Sequence, residues 1–132
     1  MDPNKLLFVA KKAMERAYAP YSNYKVGAAL VCDDGTVFKG CNIENASYGL
    51  TNCAERTAVF SAIAAGKRKF KAIAIAASGE ATPFPCGACR QALAEFCGPD
   101  FSVYVASGAD TYETTTLDVL LPHRFDFRGS DD

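Results

Sequence analysis

The chain has 132 residues, 49% of them hydrophobic and 22% charged, and its formal net charge is −1. This composition is typical of a globular protein with one domain, and a chain of this length can bury a core without disulfide bonds. The near-neutral charge, with no run of basic residues, excludes bulk electrostatic attraction to long nucleic acid or to an anionic membrane.

The first part of the chain predicts a helix followed by a β-hairpin. Asp2-Pro3 is a helix-start signal, and apolar residues recur at intervals of three and four, which predicts an amphipathic helix over 3–18. Because this segment has no unbroken apolar run, we expect neither a signal peptide nor a membrane span, and hence a cytoplasmic protein. Residues 25–32 and 36–41 are strand-like, and Asp33-Asp34-Gly35 between them predicts an antiparallel turn.

The middle of the chain predicts two helices on either side of a buried strand. Residues 53–65 are almost all helix formers, and Gly66 is a stop signal. The later part of this helix is apolar nearly all round, which indicates cover by its own sheet and by another subunit. Residues 70–77 form a continuous apolar strand, and a second helix starts at Pro85-Cys86 and runs to about 97.

Three short elements complete the prediction: a buried strand at 101–106, an edge strand at 112–115 and a helix at 117–121. Thr116 caps that last helix, and the tail at 130–132 should be frayed. The order α-β-β-α-β-α-β-β-α predicts a single α/β domain over 1–132, with one mixed five-stranded sheet and helices on both faces. Both middle helices begin at the same sheet edge, where ligands bind in open α/β sheets.

The six cysteines raise the question of disulfide bonds or a metal; they are Cys32, Cys41, Cys53, Cys86, Cys89 and Cys97. Without an export signal, and with a normal core, metal binding is favoured over a disulfide framework. Cys32, in a strand pattern, and Cys97, at a helix end, fit small core residues. Cys53, Cys86 and Cys89 instead lie at helix starts, where unpaired N–H groups and the helix dipole stabilise thiolates.

Thiols from two helix starts predict an incomplete zinc tetrahedron. Cys86 and Cys89 form a Cys-x-x-Cys pair, Cys53 supplies a third sulfur, and water can take the fourth position. Three thiolates give such a site a net negative charge, which weakens the pull of zinc on that water. A general base is then more necessary, and Glu55 is well placed for this role. Arg56 fits a hydrogen bond to a ligand sulfur.

Alternative interpretations exist for these residues. Asn52 with Glu55 three positions later also fits a variant capping box, in which Glu55 only satisfies the helix start. Cys86 and Cys89 alone fit a thioredoxin-like redox pair, although that leaves Cys53 and Glu55 unexplained. A closed structural zinc site would need a fourth ligand from Cys41, Cys97 or His123.

The two cysteine segments, Cys53-Ala54-Glu55-Arg56 and Pro85-Cys86-Gly87-Ala88-Cys89-Arg90-Gln91, resemble the zinc nucleoside deaminases. The similarity is closest to the small homotetrameric cytidine deaminases, and it extends through residues 19–22, 26–29 and 40–46. This resemblance implies a three-layer α/β/α fold and a Zn²⁺ cofactor. It also implies hydrolysis of cytidine and 2′-deoxycytidine to uridine and 2′-deoxyuridine with release of ammonia, as in pyrimidine salvage, by a homotetramer with shared active sites.

The resemblance further implies a role for each residue of the zinc centre. Cys53, Cys86 and Cys89 would hold the zinc, and Arg56 would hydrogen-bond ligand sulfurs. Glu55 would take the proton of the water that attacks C4, deliver it to N3 of cytosine and later help ammonia to leave.

Substrate contacts are implied in the same way. Asn42 and Glu44 would bind the ribose hydroxyls, although both also fit turn-forming loop residues. Tyr24 would stack on the base, and the backbone around Ala54 would contact the pyrimidine edge. The family usually has phenylalanine at position 24; tyrosine keeps the ring face, but its hydroxyl group needs a partner and could change substrate preference. Three residues match positions that approach a site from neighbouring subunits: Ala46, Tyr48 and Phe125.

Two rival functions stay open at this point. One is another deaminase with the same zinc core, acting on a blasticidin-type nucleoside or a free base; Asn42 and Glu44 argue against a free base. The other is a non-catalytic binding or redox module that uses the cysteines without turnover. Zinc content and the loss of cytidine absorbance with ammonia release distinguish them.

Overall fold

Five strands form one sheet in the computed structural model, which describes residues 1–126. They are β1 (Val26–Cys32), β2 (Val37–Cys41), β3 (Phe70–Ala77), β4 (Ser102–Ala106) and β5 (Tyr112–Thr116). The strand order is β2-β1-β3-β4-β5; β3 and β4 are parallel, and the other neighbouring strands are antiparallel. This confirms the predicted mixed five-stranded sheet. The tail predicted to fray, 130–132, lies outside the described residues.

Helices cover both faces of this sheet. They are α1 (Pro3–Met14), α2 (Ala54–Ala64), α3 (Gly87–Phe96) and α4 (Leu117–Leu120). Because side chains alternate along a strand, β1 and β3 contribute apolar residues to both faces. One face packs on α1 and the other on α2, α3 and α4, so one buried hydrophobic cluster lies on each side of the sheet. The predicted three-layer α/β/α architecture is therefore confirmed. Among the described helices, none has the length and apolar character needed to span a membrane.

The first helix ends earlier than predicted, at Met14 instead of residue 18. Tyr18 is taken up by a bridge to Ile43: its N–H donates to Asn42 O at 3.0 Å, and its carbonyl accepts from Glu44 N–H at 2.9 Å. These tertiary hydrogen bonds outweigh the helix propensity of the residues after Met14. They also fix the loop after β2 beside the loop after α1, which shapes one side of the candidate site.

The start of α2 is set by a close approach to β2 at Gly40. A Cβ atom on Gly40 would lie 2.3 Å from the carbonyl oxygen of Ala54 and 2.5 Å from the amide nitrogen of Ala58. Only glycine allows the helix backbone to come this near to the strand. The first turn of α2, which carries the first cysteine segment, is thereby held directly against the sheet.

Candidate active site

Three cysteine sulfurs lie together where α2 and α3 begin. Cys53 and Cys86 occupy the N-cap positions of the two helices, and Cys89 is in the first turn of α3. The Sγ of Cys86 is 3.5 Å from that of Cys89 and 4.0 Å from that of Cys53, and all three sulfurs lie within 4.8 Å of one another. Tetrahedral zinc with Zn–S bonds of about 2.3 Å separates its sulfurs by roughly 3.8 Å. The observed spacing fits this metal.

The cluster has three members and no fourth protein ligand in residues 1–126. Cys32 and Cys97 are buried core residues, and burial raises the pKa of the Cys97 thiol to about 12. His123 is exposed beyond α4 and does not join the sulfurs. All six cysteines are free thiols. The donor set therefore fits a three-thiolate site with an open fourth position better than a closed structural site or a disulfide framework.

Arg56 lies beside the sulfurs, one helical turn after Cys53. Its Nη2 donates to Cys53 Sγ at 3.3 Å. Hydrogen bonding from the Cys89 thiol, reinforced by Arg56, lowers the pKa of the Cys53 thiol. The buried Nε of Arg56 has no hydrogen-bond partner within residues 1–126. The guanidinium group therefore stabilises a thiolate here, the form of cysteine that binds metal.

Arg90, the other arginine next to the cysteines, has a different function. Its Nε donates to Pro85 O and its Nη1 to Leu120 O, each at 2.7 Å. These bonds connect the segment before Cys86 to the end of α4. Arg90 thus braces the start of α3 through backbone carbonyl groups, without a hydrogen bond to a sulfur.

Glu55 is a buried carboxyl group beside this cluster, with only 5% of its surface exposed. Burial is the main cause that raises its pKa to about 7, a value at which a carboxyl group can both accept and donate protons near neutral pH. The N-cap of α2 is Cys53, and the Asn52 side chain donates to Thr57 Oγ1 at 3.1 Å. The alternative capping box between Asn52 and Glu55 is therefore not formed.

A cavity of about 210 Å³ opens at this point, and its walls include Tyr24, Asn42, Ala54, Glu55, Phe84 and the sulfur-bearing residues Cys53 and Cys86. A larger cavity of about 560 Å³ lies between α1 and the loops after β3 and β4. Among the residues that the structure describes, no thiol and no buried acid line that larger cavity, so the reactive side chains are those of the smaller one.

Two aromatic rings flank the smaller cavity, and both are partly exposed. Tyr24 and Glu55 both line this cavity, and burial, followed by the negative charge of Glu55, raises the pKa of Tyr24. Phe84 lies between the strand predicted at 70–77 and the helix predicted from Pro85-Cys86, and no sequence pattern marked it as a site residue. Phe84 is two residues before Cys86, and this spacing could have indicated its place, because residues next to a metal-binding cysteine usually line the same site.

Asn42 is buried at the cavity wall and uses its amide to hold the backbone beside it. Its Oδ1 accepts from Val26 N–H at 2.9 Å, and its Nδ2 donates to Tyr24 O at 2.8 Å. Each amide atom retains capacity for one further hydrogen bond. The side chain can therefore position Tyr24 and also bind a hydroxyl group.

Glu44 borders a neighbouring hollow rather than the sulfur cavity, and Thr51 lines both. The carboxylate of Glu44 accepts hydrogen bonds from Tyr21 N–H at 2.9 Å, from Ser22 N–H at 3.2 Å and from the Ser22 hydroxyl group. The Ser22 hydroxyl is the main cause that lowers the pKa of Glu44. An ionised carboxylate has about four acceptor positions, so one is left for a ligand.

The residues expected to serve neighbouring subunits lie outside the sulfur cavity of their own chain. Ala46 is exposed. Tyr48 is 78% exposed, in a 3₁₀ turn at Tyr48–Leu50, and Phe125 is 71% exposed. The backbone carbonyl of Phe125 accepts from Gln91 Nε2 at 3.0 Å, so the segment that carries this ring is attached to α3. Their contribution to a neighbour's site stays a prediction.

Residues 2–105 match the family described as the cytidine and deoxycytidylate deaminase zinc-binding region. This match spans the thiol cluster, the buried acid and the loop after β2. The chain belongs to this family. Its three-sulfur cluster and the zinc-binding region together establish Zn²⁺ as the cofactor of this deaminase-family chain.

Similar proteins agree with this assignment. The cytidine deaminase of Sporosarcina psychrophila is 53% identical over 125 residues, covering 95% of this chain and 92% of that protein. The cytidine deaminase of Halalkalibacterium halodurans is 50% identical over 125 residues, covering 95% of each. A crystal structure of cytidine deaminase from Burkholderia pseudomallei superposes with a TM-score of 0.91 at 53% identity, covering 95% of this chain and 100% of that one.

Proposed function

We infer that this chain catalyses the zinc-dependent hydrolytic deamination of cytidine, and of 2′-deoxycytidine, to the corresponding uridines with release of ammonia. The observation that carries this conclusion is that a cluster of three thiols and one buried carboxyl group lie together at a single cavity, which Cys53, Cys86 and Glu55 line. A redox pair would require only Cys86 and Cys89, and it would give no function to the third sulfur or to Glu55.

Cys53, Cys86 and Cys89 would hold the zinc and leave its fourth position to water. When bound, the metal lowers the pKa of that water and so makes it a nucleophile toward C4 of the pyrimidine. The protein contributes the thiolate state of the ligands through two helix N-termini and through Arg56. These groups also partly neutralise the negative charge of three thiolates.

Proton transfer is the task of Glu55. Its carboxylate would accept one proton from the water and deliver it to N3 of the base. It would then take the remaining proton of the hydroxyl group added at C4 and pass it to the amino group, which leaves as ammonia. The pKa of about 7 suits this double role, because the group can be charged in one step and neutral in the next. Burial keeps bulk water from competing for these protons.

The cavity walls account for binding of the nucleoside. Tyr24 and Phe84 offer ring faces to a flat pyrimidine, and the first turn of α2 at Ala54 has backbone N–H groups without intrahelical partners. Asn42 and Glu44 address the ribose hydroxyl groups with the acceptor positions that their loop contacts leave free.

We propose further that the active form is a homotetramer with shared active sites, acting in the cytoplasm in pyrimidine salvage, and that residues 1–132 are one domain. Large exposed apolar side chains support an assembly, since such groups mark interaction surfaces; they include Tyr48, Leu50, Phe60 and Phe125. The need for three reduced sulfurs at the zinc site supports a reducing compartment.

The decisive experiment follows cytidine absorbance and ammonia in the same reaction, with zinc per chain measured on the same preparation. We expect loss of cytidine with equimolar ammonia, loss of activity with a strong chelator, and recovery with Zn²⁺. The Cys89→Ala variant is the matched control for loss of metal. A metal-free protein that reduces disulfides and leaves cytidine unchanged would overturn the conclusion.

A further inference from the structure

The ring of Tyr24 packs directly on the backbone of Gly79, in the loop between β3 and α3. A Cβ atom on Gly79 would lie 2.8 Å from Cε1 and 3.3 Å from Cδ1 of this ring, and its three nearest heavy atoms all belong to Tyr24. Non-bonded carbon atoms make favourable contact at about 3.5–4.0 Å. A side chain at position 79 would therefore force the Tyr24 ring or the backbone beside it to move.

The backbone on both sides of this contact is held by hydrogen bonds. Ser78 N–H donates to Lys25 O at 2.8 Å, and Lys25 N–H donates back to Ser78 Oγ at 2.9 Å. The Tyr24 carbonyl accepts from Asn42 Nδ2 at 2.8 Å, and Tyr24 N–H donates to Ser22 Oγ at 3.0 Å. A side chain at position 79 would therefore be accommodated by rotation of the Tyr24 ring more easily than by separation of the two loops.

The ring, unlike Gly79, borders the sulfur cavity. Rotation of Tyr24 away from residue 79 would change the shape of this cavity wall. The positions of the thiols and of Glu55, at the starts of α2 and α3, would stay the same. The Tyr24 ring is thus the nearest link between a side chain at position 79 and the sulfur cavity.

We propose that Gly79 is a positioning residue that sets where the Tyr24 ring lies against the pyrimidine, and that it governs substrate binding more than the chemical step. This inference rests on the proposed deaminase function and on Tyr24 as a wall of its binding cavity. Gly79 and Tyr24 then act as one unit: the identity of residue 79 matters only while the ring is present.

The test is a double-mutant cycle with Gly79→Ala and Tyr24→Ala in the zinc-loaded protein. We expect Gly79→Ala to raise KM for cytidine and Kd for uridine about three- to tenfold, the range of one aromatic contact, with a smaller change in kcat. In the Tyr24→Ala background, the same substitution should change neither constant. Equal effects in both backgrounds, or no effect in the parent background, would overturn the proposal.

Gly108→Ala is a matched control. Gly108 follows β4 as Gly79 follows β3, its Cβ would lie 2.8 Å from Thr111 Oγ1, and neither glycine has a positive φ. This variant has a similar steric and entropic cost but does not touch the sulfur cavity. We expect its KM and Kd to equal those of the parent; an increase matching that of Gly79→Ala would make the effect a general one of loop glycines and refute the proposal.

A readout independent of turnover is the NMR spectrum of the protein with ¹³C-labelled tyrosine rings. The chain has six tyrosines, and the signal lost in Tyr24→Ala identifies this ring. In Gly79→Ala that signal should move, without ligand, while the others stay; an unmoved signal contradicts the proposal. A parent protein that neither deaminates cytidine nor binds uridine would refute the proposed function itself, whereas additivity in an active parent refutes only the role of Gly79.

Discussion

Arg56 Nη2 donates a hydrogen bond to Cys53 Sγ across 3.3 Å, from the same helix start that carries the buried Glu55. A permanently charged donor beside a sulfur stabilises the thiolate and orients it. Arg90, by contrast, bonds to carbonyl oxygens of Pro85 and Leu120. Arg56 therefore stabilises the charge of a cysteine sulfur, whereas Arg90 holds the start of α3 in place.

Replacement of these two arginines should separate the two functions. We expect Arg56→Gln to weaken zinc binding about 10- to 100-fold, the usual effect of losing a group that supports a metal ligand. Competition with a chromogenic chelator measures this loss. Arg90→Gln is the matched control: it should lower the melting temperature and leave zinc affinity near that of the parent. Equal zinc affinities in both variants would contradict the assignment of Arg56.

Substitution of the buried acid should remove turnover and spare the metal. We expect Glu55→Gln to keep its fold and its zinc while kcat falls ~10²–10⁴-fold, the usual contribution of general acid–base catalysis. The glutamine side chain has nearly the same volume but cannot carry the proton. Zinc content and circular dichroism on the same sample are the controls. Near-normal kinetics would assign Glu55 to a structural role in α2.

The ribose assignment of Glu44 can be separated from its loop contacts. We expect Glu44→Ala to raise KM for cytidine about 10- to 100-fold, the range for hydrogen bonds to a charged group, with zinc content unchanged. Ser22→Ala removes a loop partner of the carboxylate and the acceptor of the Tyr24 N–H but leaves the carboxylate in place, so its KM should rise less than that of Glu44→Ala.

We expect Glu44 to bind the 3′-hydroxyl group of the ribose, and a substrate without that group completes this test. With 3′-deoxycytidine the parent and the Glu44→Ala variant should have similar KM values, because the contact that distinguishes them no longer exists. If the variant loses as much with this substrate as with cytidine, Glu44 acts only by holding the loop at 21–22 that leads into Tyr24.

The surface ion pair between Asp34 and Lys67 predicts a pH-dependent stability. Lys67 Nζ lies 2.7 Å from Asp34 Oδ2, and this bond, with a further one from Thr36 N–H, holds the pKa of Asp34 well below its usual range. A lowered carboxyl pKa stabilises the fold above the ordinary pKa of the group, and the stabilisation is lost as the pH falls through the folded value.

Asp34→Asn should therefore have a lower melting temperature than the parent at pH 7, and the difference should shrink below about pH 4. Asp33→Asn, in the same turn, is the matched control, because in the part of the chain that the structure describes the salt bridge of Lys67 is made to Asp34 and not to Asp33. High salt should also reduce the difference, since the pair is exposed. A difference that is constant between pH 7 and pH 3 would mean that the ion pair contributes nothing.

Regular burial made the layers of this fold predictable from the sequence. The strand at Phe70–Ala77 is predicted at its observed ends because both faces of the sheet are covered, so its apolar run is unbroken. The two cysteine segments could also be recognised as helix starts and metal ligands, since N-cap cysteines and a Cys-x-x-Cys pair are local sequence patterns. Their meeting follows from parallel β3 and β4 with α3 between them.

Contacts between loops could not be predicted from the sequence in the same way. The bridge of Tyr18 to Ile43 ends α1 early, and no local pattern encodes it. Glu44 holds Ser22 across more than twenty residues of sequence, and Gly79 meets Tyr24 across still more. Such pairs depend on how two irregular segments come to lie side by side, which hydrophobic periodicity does not describe.

The final prediction concerns sharing of sites between subunits. Phe125 is exposed on its own chain, away from the sulfur cavity, on a segment attached to α3 through Gln91. If its ring completes a neighbour's site, Phe125→Ala and Glu55→Gln impair different halves of one site. Each variant alone should have low activity. Co-expressed and purified as mixed assemblies with two different tags, they should recover activity at up to about a quarter of the sites, those that combine an intact Glu55 with an intact neighbouring Phe125. Gln91→Ala, which removes one of the hydrogen bonds that attach this segment to the α3 region and keeps the ring, should show a partial loss that mixing with Glu55→Gln also relieves. Mixed assemblies no more active than the sum of the separate variants would place Phe125 outside the catalytic sites.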